Sequence, residues 1–145
     1  MKVGIGNDHH GILLKNKLIP YLKEKGIDVI NYGTDTSESV DYTNYAFQVG
    51  EAIRDNQIDF GILICGSGIG MSIACNKVKN VRCAKVDNVN EASVTRNDND
   101  SNVIALSGNL KKEDAIEIID TFLSTPFSND ERHIRRVEAI KNYDN

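Results

Sequence analysis

Short runs of apolar, often β-branched residues recur along the chain, and most are followed by a segment whose apolar positions return every three or four residues. Such runs read as buried strands, and such segments as helices with one apolar face. Lys2 to Ile5 is the first strand, ended by the polar cluster Gly6-Asn7-Asp8-His9-His10-Gly11. Leu13, Leu14, Leu18, Ile19 and Leu22 then mark a helix, with Gly26 as its stop and Pro20 placed to kink it. Ile27 to Asn31 is a second strand, closed by Tyr32-Gly33-Thr34, and a polar loop through Ser37, Glu38 and Ser39 reaches Asp41-Tyr42. Tyr45, Val49, Ala52 and Ile53 mark a second helix. Phe60 to Ile64 is the third strand, followed by Cys65, the alternating glycines Gly66, Gly68 and Gly70, and a helical face of Met71, Ile73 and Ala74. Val81 to Val86 reads as the fourth strand, Glu91 to Arg96 as a short helix, and Asn97 to Asn102 as a loop. Val103 to Leu106 is the fifth strand, and helices over Glu113 to Leu123 and Asp130 to Asn142 close the chain.

Strands alternating with helices predict an α/β fold: a doubly wound, Rossmann-like sheet of five parallel strands with helices on both faces. The 145 residues contain no repeat, low-complexity tract or linker, which predicts one domain over 1–145. No apolar run approaches the ~20 residues that span a bilayer, so no membrane partner is expected. The first residues enter a strand directly, unlike a signal peptide, and a cytoplasmic protein is the expectation. The formal net charge of −4 argues against a general nucleic-acid binder. Cys65, Cys75 and Cys83 are three cysteines without metal-ligand spacing, which reads as free thiols in a reducing compartment.

A parallel sheet carries ligands at the C-terminal ends of its strands, which is where Asp8, His9 and Cys65 fall. A carboxylate beside an imidazole can hold sugar hydroxyls and move protons, although Asn, Asp and Gly also favour plain turns. His10 reads as a bystander, because Gly11 already turns the chain toward the helix. Free cysteines usually behave as small core residues. A glycine loop at a helix N-terminus favours thiolate, however, and only Cys65 has that setting. Cys75 and Cys83 read as core.

The loop Gly66-Ser67-Gly68-Ile69-Gly70 lacks the third glycine of the dinucleotide fingerprint and the lysine of a P-loop. Its amides suit a small anion better, although a tight turn alone explains at least two of the glycines. A nucleotide at this loop with Asp87 on a ribose is a weaker reading. Arg132 and Arg136 lie four residues apart, hence on one helix face, and with Arg135 and His133 they form a basic cluster. Such a pair can hold a phosphate dianion, or simply be solvated beside Glu131 and Glu138.

Gly6-x-Asp8-His9, Asp41-Tyr42, the run Gly61 to Ala74 and Arg132-His133-x-x-Arg136-Val137-Glu138 together resemble the ribose-5-phosphate isomerase B family, which also includes galactose-6-phosphate isomerase subunits. The likeness spans nearly the whole chain, and the Cys65 loop is its most specific part. It implies an aldose–ketose isomerase that uses no metal and no organic cofactor and works through a cis-enediolate. By that likeness Cys65 moves the proton between C1 and C2, while Ser67 and the amides of Gly66, Gly68 and Gly70 receive the enediolate oxygen. Asp8 and Tyr42 would contact sugar hydroxyls, and His9, Arg132 and Arg136 would hold the phosphate. Asn99 would reach the substrate across an interface, in a dimer or tetramer of identical chains with shared sites.

Two positions depart from the family pattern. Asp98 stands where the family usually has the histidine assigned to opening the sugar ring, and Asn109 where many members have a phosphate-binding arginine. An ionised aspartate accepts a proton but donates none. Asp98 is therefore a catalytic candidate only if held protonated; otherwise His9 or His10 opens the ring, or the substrate arrives open. The leading expectation is interconversion of ribose 5-phosphate and ribulose 5-phosphate. The alternatives are a six-carbon substrate, allose or galactose 6-phosphate, or a non-catalytic sugar-phosphate-binding relative.

Overall fold

A computed structural model describes residues 1–143 of the chain. Five parallel strands, β1 (Lys2–Asn7), β2 (Asp28–Asn31), β3 (Phe60–Cys65), β4 (Cys83–Lys85) and β5 (Val103–Ser107), form one sheet in the order β2-β1-β3-β5-β4. Six helices connect or follow them: α1 (Ile12–Glu24), α2 (Tyr42–Arg54), α3 (Ile69–Cys75), α4 (Val89–Asn99), α5 (Lys112–Ser124) and α6 (Glu131–Tyr143). The register sets Asn7 beside Ile64 and Cys65 beside Ser107, so three strand ends reach one edge together.

Both faces of the central strands are apolar, as burial between two helical layers requires. On one face Val3, Ile5, Ile62, Ile64, Ile104 and Leu106 meet α1 and α5 through Leu14, Leu18, Ile118 and Phe122. On the other, Leu63, Cys65, Val103 and Ala105 meet α2 and α3 through Val49, Ala52, Met71 and Cys75. Each fully buried Leu, Ile or Phe is worth about 1.5–3 kcal/mol of transfer energy, so the strand order is fixed by these two layers.

Several expectations are corrected. Strand four is three residues long rather than running from Val81 to Val86. The Asn102 side chain accepts from the Arg82 amide at 2.8 Å, and the Arg82 carbonyl turns to the Asn102 and Val103 amides, so a loop takes up those groups before the ladder starts. The segment from Asn97 to Asn99 is helical, not a loop. A capping box at Asn88 and Glu91 starts α4, and Arg96 closes it by donating to Asp100 Oδ1 at 2.8 Å and to the Ser101 carbonyl at 2.7 Å. These contacts override the poor helix propensity of three successive Asn and Asp residues.

On α1, Leu13 faces solvent while Lys15 is buried, and the helix continues past exposed Pro20. Ile73 of α3 is exposed as well. Cys75 is core, as expected, but Cys83 on the edge strand is half-buried. A hydrogen bond with the Cys75 thiol, and then burial, push the Cys83 thiol well above its ordinary range. No helix among the described residues is long and apolar enough to cross a membrane.

Candidate active site

The winding of the sheet reverses between β1 and β3, and the crevice outside such a switch point is where this class of sheet binds ligands. A cavity of about 480 Å³ opens there, lined by Asp8, His9, His10, Val40, Tyr42, Cys65, Gly66, Ser67, Ile69 and Gly70. Asp8, His9, Tyr42, Cys65, Ser67, Gly66 and Gly70 are thus brought together from three separate parts of the chain. Gly68 lies beneath them as the turn of the loop.

Asp8 follows β1 and is 5% exposed. One carboxylate oxygen accepts from the His10 amide at 2.9 Å, capping a tight turn over His9–Gly11; the other lies 3.8 Å from His10 Nδ1. Neighbouring Asn7 donates to the Asp8 carbonyl at 2.9 Å and to the Thr34 carbonyl at 3.1 Å, tying the end of β1 to the loop after β2. Lys15, wholly buried, donates to the same Thr34 carbonyl and to Asp35 Oδ1, both at 2.6 Å, and to Asn31 Oδ1 at 3.3 Å. That loop continues to Val40, which closes onto the site.

His9 Nδ1 accepts from the Val40 amide at 3.2 Å. A neutral imidazole in this arrangement carries its proton on Nε2, so its free edge is a donor suited to an anion. Asp8, His9 and His10 offer ligand atoms within 4.8 Å of one another, the size of a metal site. The Val40 amide occupies the one lone pair of His9, however, and the cluster cannot supply three ligands while that bond stands.

Cys65 ends β3, and its Sγ accepts from the Gly68 amide at 3.2 Å. Gly68 has φ +81°, and a β-carbon there would stand 3.0 Å from the Leu106 carbonyl carbon, so the turn demands glycine. Ser67 Oγ accepts from the amide of Ile69, the first residue of α3, at 3.1 Å. The Gly70 and Met71 amides precede the first i→i−4 bond of α3, which the Ser72 amide makes to the Gly68 carbonyl at 3.2 Å. The Tyr42 ring leans over this turn, against Gly70.

Three expected site residues, Asp98, Arg132 and Arg136, lie outside this cavity, and so does Asn99, which is expected to act across an interface. Asp98 and Asn99 end α4, which leads into the N-terminal end of β5, the sheet edge opposite Cys65. Asp98 Oδ1 lies 3.7 Å from His133 Nε2 and accepts from Asn97 at 2.7 Å, while His133 Nδ1 pairs with Ser128 Oγ at 2.7 Å. Exposed Asn99 lines a hollow of about 380 Å³ at the β4 edge with Arg82, Cys83 and Ile140. Arg132 and Arg136 stand exposed on α6, Arg132 facing Asp130 at 3.4 Å. The Arg132 amide holds the Asp130 carboxyl below its usual range. None of these four lines the Cys65 cavity of its own chain.

Three cavity residues are not among the site candidates that the sequence marks: His10, Val40 and the side chain of Ile69. His10 reads as a bystander in the sequence, although a third polar residue directly after Asp8-His9 in a tight turn is a usable signal. Val40 sits in an irregular loop and gave none.

A sequence profile of the ribose/galactose isomerase family matches residues 3–140. Ribose-5-phosphate isomerase B of Escherichia coli is 41% identical over 140 residues, covering 96% of this chain and 93% of that protein. The crystal structure of a ribose 5-phosphate isomerase from Thermotoga maritima superposes with a TM-score of 0.93 at 44% identity, covering 97% of each chain. Ribose-5-phosphate isomerase B of Mycoplasma genitalium, solved with bound ribulose-5-phosphate, gives 0.92 at 35% identity over 98% of this chain and 95% of that one. With the sheet, the Cys65 loop and the sequence match running together from β1 to α6, the chain belongs to the ribose/galactose isomerase family.

Proposed function

We propose that this protein interconverts ribose 5-phosphate and ribulose 5-phosphate, with Cys65 as the base. The observation that carries the reading is the sulfur of Cys65 at the switch-point cavity, bonded by the Gly68 amide and facing the Asp8–His9 turn. It agrees with the activity named for the Escherichia coli relative and the product bound in the Mycoplasma genitalium structure.

In the aldose-to-ketose direction the open-chain sugar loses its C2 proton to the Cys65 thiolate, and the electron pair moves to O1. The loop amides and Ser67 stabilise that oxygen; losing one such donor typically costs ~10²–10³ in rate. The 2-hydroxyl proton passes to O1 and the thiol returns its proton to C1, leaving a carbonyl at C2. Asp8 and Tyr42 hold hydroxyls, and the Nε2–H of His9 meets the phosphate, whose binding energy fixes the reactive pose.

Arg132, Arg136, Asp98 and Asn99 enter the site from a second copy of the chain, since they stand away from the cavity of their own. Ile69 and Ile73 on α3, Val94 on α4, and Ile134 and Ile140 on α6 are exposed apolar residues that a dimer would cover. Three free thiols accord with a cytoplasmic enzyme. Asp98, facing His133 as an acceptor, favours as a second reading a six-carbon sugar phosphate or a substrate that arrives ring-opened.

A coupled assay on ribose 5-phosphate, run with calorimetric binding of the same sugar, tests the proposal. Wild type should convert it, and Cys65→Ala should bind without converting it. Turnover surviving in the variant overturns the role of Cys65. Binding without turnover in wild type makes the protein a sugar-phosphate sensor.

A further inference from the structure

β1 and β5 flank β3 on opposite sides, and the turn after β5 holds the Cys65 loop through two hydrogen bonds. The Gly108 amide donates to the Cys65 carbonyl at 2.7 Å. The Ser107 hydroxyl donates to the next carbonyl, that of Gly66, also at 2.7 Å, and is itself oriented by accepting from the Asn109 amide at 3.2 Å. In an extended strand, successive carbonyls point to opposite sides. Here two in a row turn toward β5.

A trans peptide holds its N–H antiparallel to its C=O. With both carbonyls drawn toward β5, the amides of Gly66 and Ser67 are both turned toward β1, where Asp8 and His9 border the cavity. Two adjacent N–H groups on one concave side make an anion-binding nest. We infer that Ser107 is a positioning residue for the reaction proposed above: its hydroxyl locks the Gly66–Ser67 peptide so that the Ser67 amide faces the oxygen that becomes charged in the enediolate.

The choice of side chain matters. A backbone donor already fixes the Cys65 carbonyl, whereas among the described residues no backbone amide donates to that of Gly66, and Ser107 supplies the donor. Gly108 cannot be enlarged to help, since a β-carbon there would stand 2.4 Å from the His10 carbonyl oxygen. Without the hydroxyl, the Gly66–Ser67 peptide is free to rotate its amide out of the site. Preorganised donors are worth most where charge appears during the reaction, and a substrate without that charge gains little from them.

The inference rests on the isomerase reading, and its test separates the two. Ser107→Ala and Ser107→Thr are compared with wild type in ribose 5-phosphate turnover. Binding is measured for two probes: a phosphorylated hydroxamate, whose cis oxygens mimic the enediolate, and ribitol 5-phosphate, which carries no such charge. Ser107→Ala should lose about ten- to a hundredfold in kcat with KM little changed. It should lose hydroxamate affinity to a similar extent while binding ribitol 5-phosphate as wild type does. Ser107→Thr, which keeps the hydroxyl, should stay within about threefold of wild type, because the donor to Gly66 is retained.

Equal hydroxamate affinity in Ser107→Ala and wild type overturns the inference. So does a threonine variant that folds and falls as far as alanine, since packing would then be the cause. A wild type that does not turn over the sugar refutes the isomerase reading instead.

Discussion

The Tyr42 ring lies against the bare Cα of Gly70: a β-carbon on that glycine would stand 2.8 Å from Tyr42 Cζ and 3.2 Å from its hydroxyl oxygen. The glycine seats the tyrosine over the mouth of the cavity. Gly70→Ala therefore displaces the ring. Alanine is the better helix former, and Tyr42 is exposed enough to swing outward, so stability should hold or rise slightly. Turnover should fall by about ten- to a hundredfold, the usual result of a misplaced contact. Opposite signs in kcat/KM and Tm would separate site geometry from folding.

Lys15 is a buried cation with three oxygen acceptors, and through Thr34 it braces the loop that ends at Val40 and Tyr42. Lys15→Met keeps the volume but leaves the Thr34 carbonyl one donor short. It should cost about 1–3 kcal/mol in denaturant unfolding, since Asp35 is free to solvate while the carbonyl is not.

The partner in this pair carries a pH signature. Hydrogen bonds from Lys15, and secondly from Asn31, hold the Asp35 carboxyl below its ordinary range. A carboxyl lowered in the folded state stabilises the fold above its unfolded value of about 3.9. That contribution disappears as the pH falls through the lower folded value. Asp35→Asn should therefore be less stable than wild type near neutrality and converge with it in acid, as urea titrations at several pH values would record. The effect is small, because the carboxylate is largely solvated.

If two chains share each site, Cys65→Ala and Arg136→Ala should rescue one another. Each is expected to be nearly inactive alone. Statistical reassortment makes half of the dimers mixed, and each mixed dimer has one intact site, so the mixture should regain about a quarter of wild-type activity. No recovery after mixed refolding would place Arg136 outside the partner's site.

Asp98 faces His133 and has no proton to offer while ionised. Asp98→His supplies a group that titrates near neutrality. Tested against five- and six-carbon aldose phosphates, this variant should gain on ring-closed ribose 5-phosphate. An equal loss on every sugar would mean that the aspartate acts through its charge.

The alternation of apolar runs with helical periodicity determined the parallel sheet, its five strands and the placing of Asp8 and Cys65 at strand ends, because burial between two layers leaves a local imprint on each segment. Motif order along the chain likewise marked the Cys65 loop. The position of β4 at the edge left no such imprint, and strand order came from which apolar faces meet across the sheet. Nor could the polar run from Asn97 to Asn99 reveal that it is helical, since Arg96 secures it through Asp100 and Ser101. The buried Lys15, the tautomer that Val40 imposes on His9, and the bond from Ser107 to Gly66 all join residues far apart in the chain, and only the folded chain brings them within reach. Asp98, Arg132 and Arg136 were legible as chemistry but not as place, whereas Asn99 was expected to act across an interface: the structure sets all four away from the cavity of their own chain, because α4 ends at the sheet edge opposite the one where β3 delivers Cys65 and α6 packs against α4.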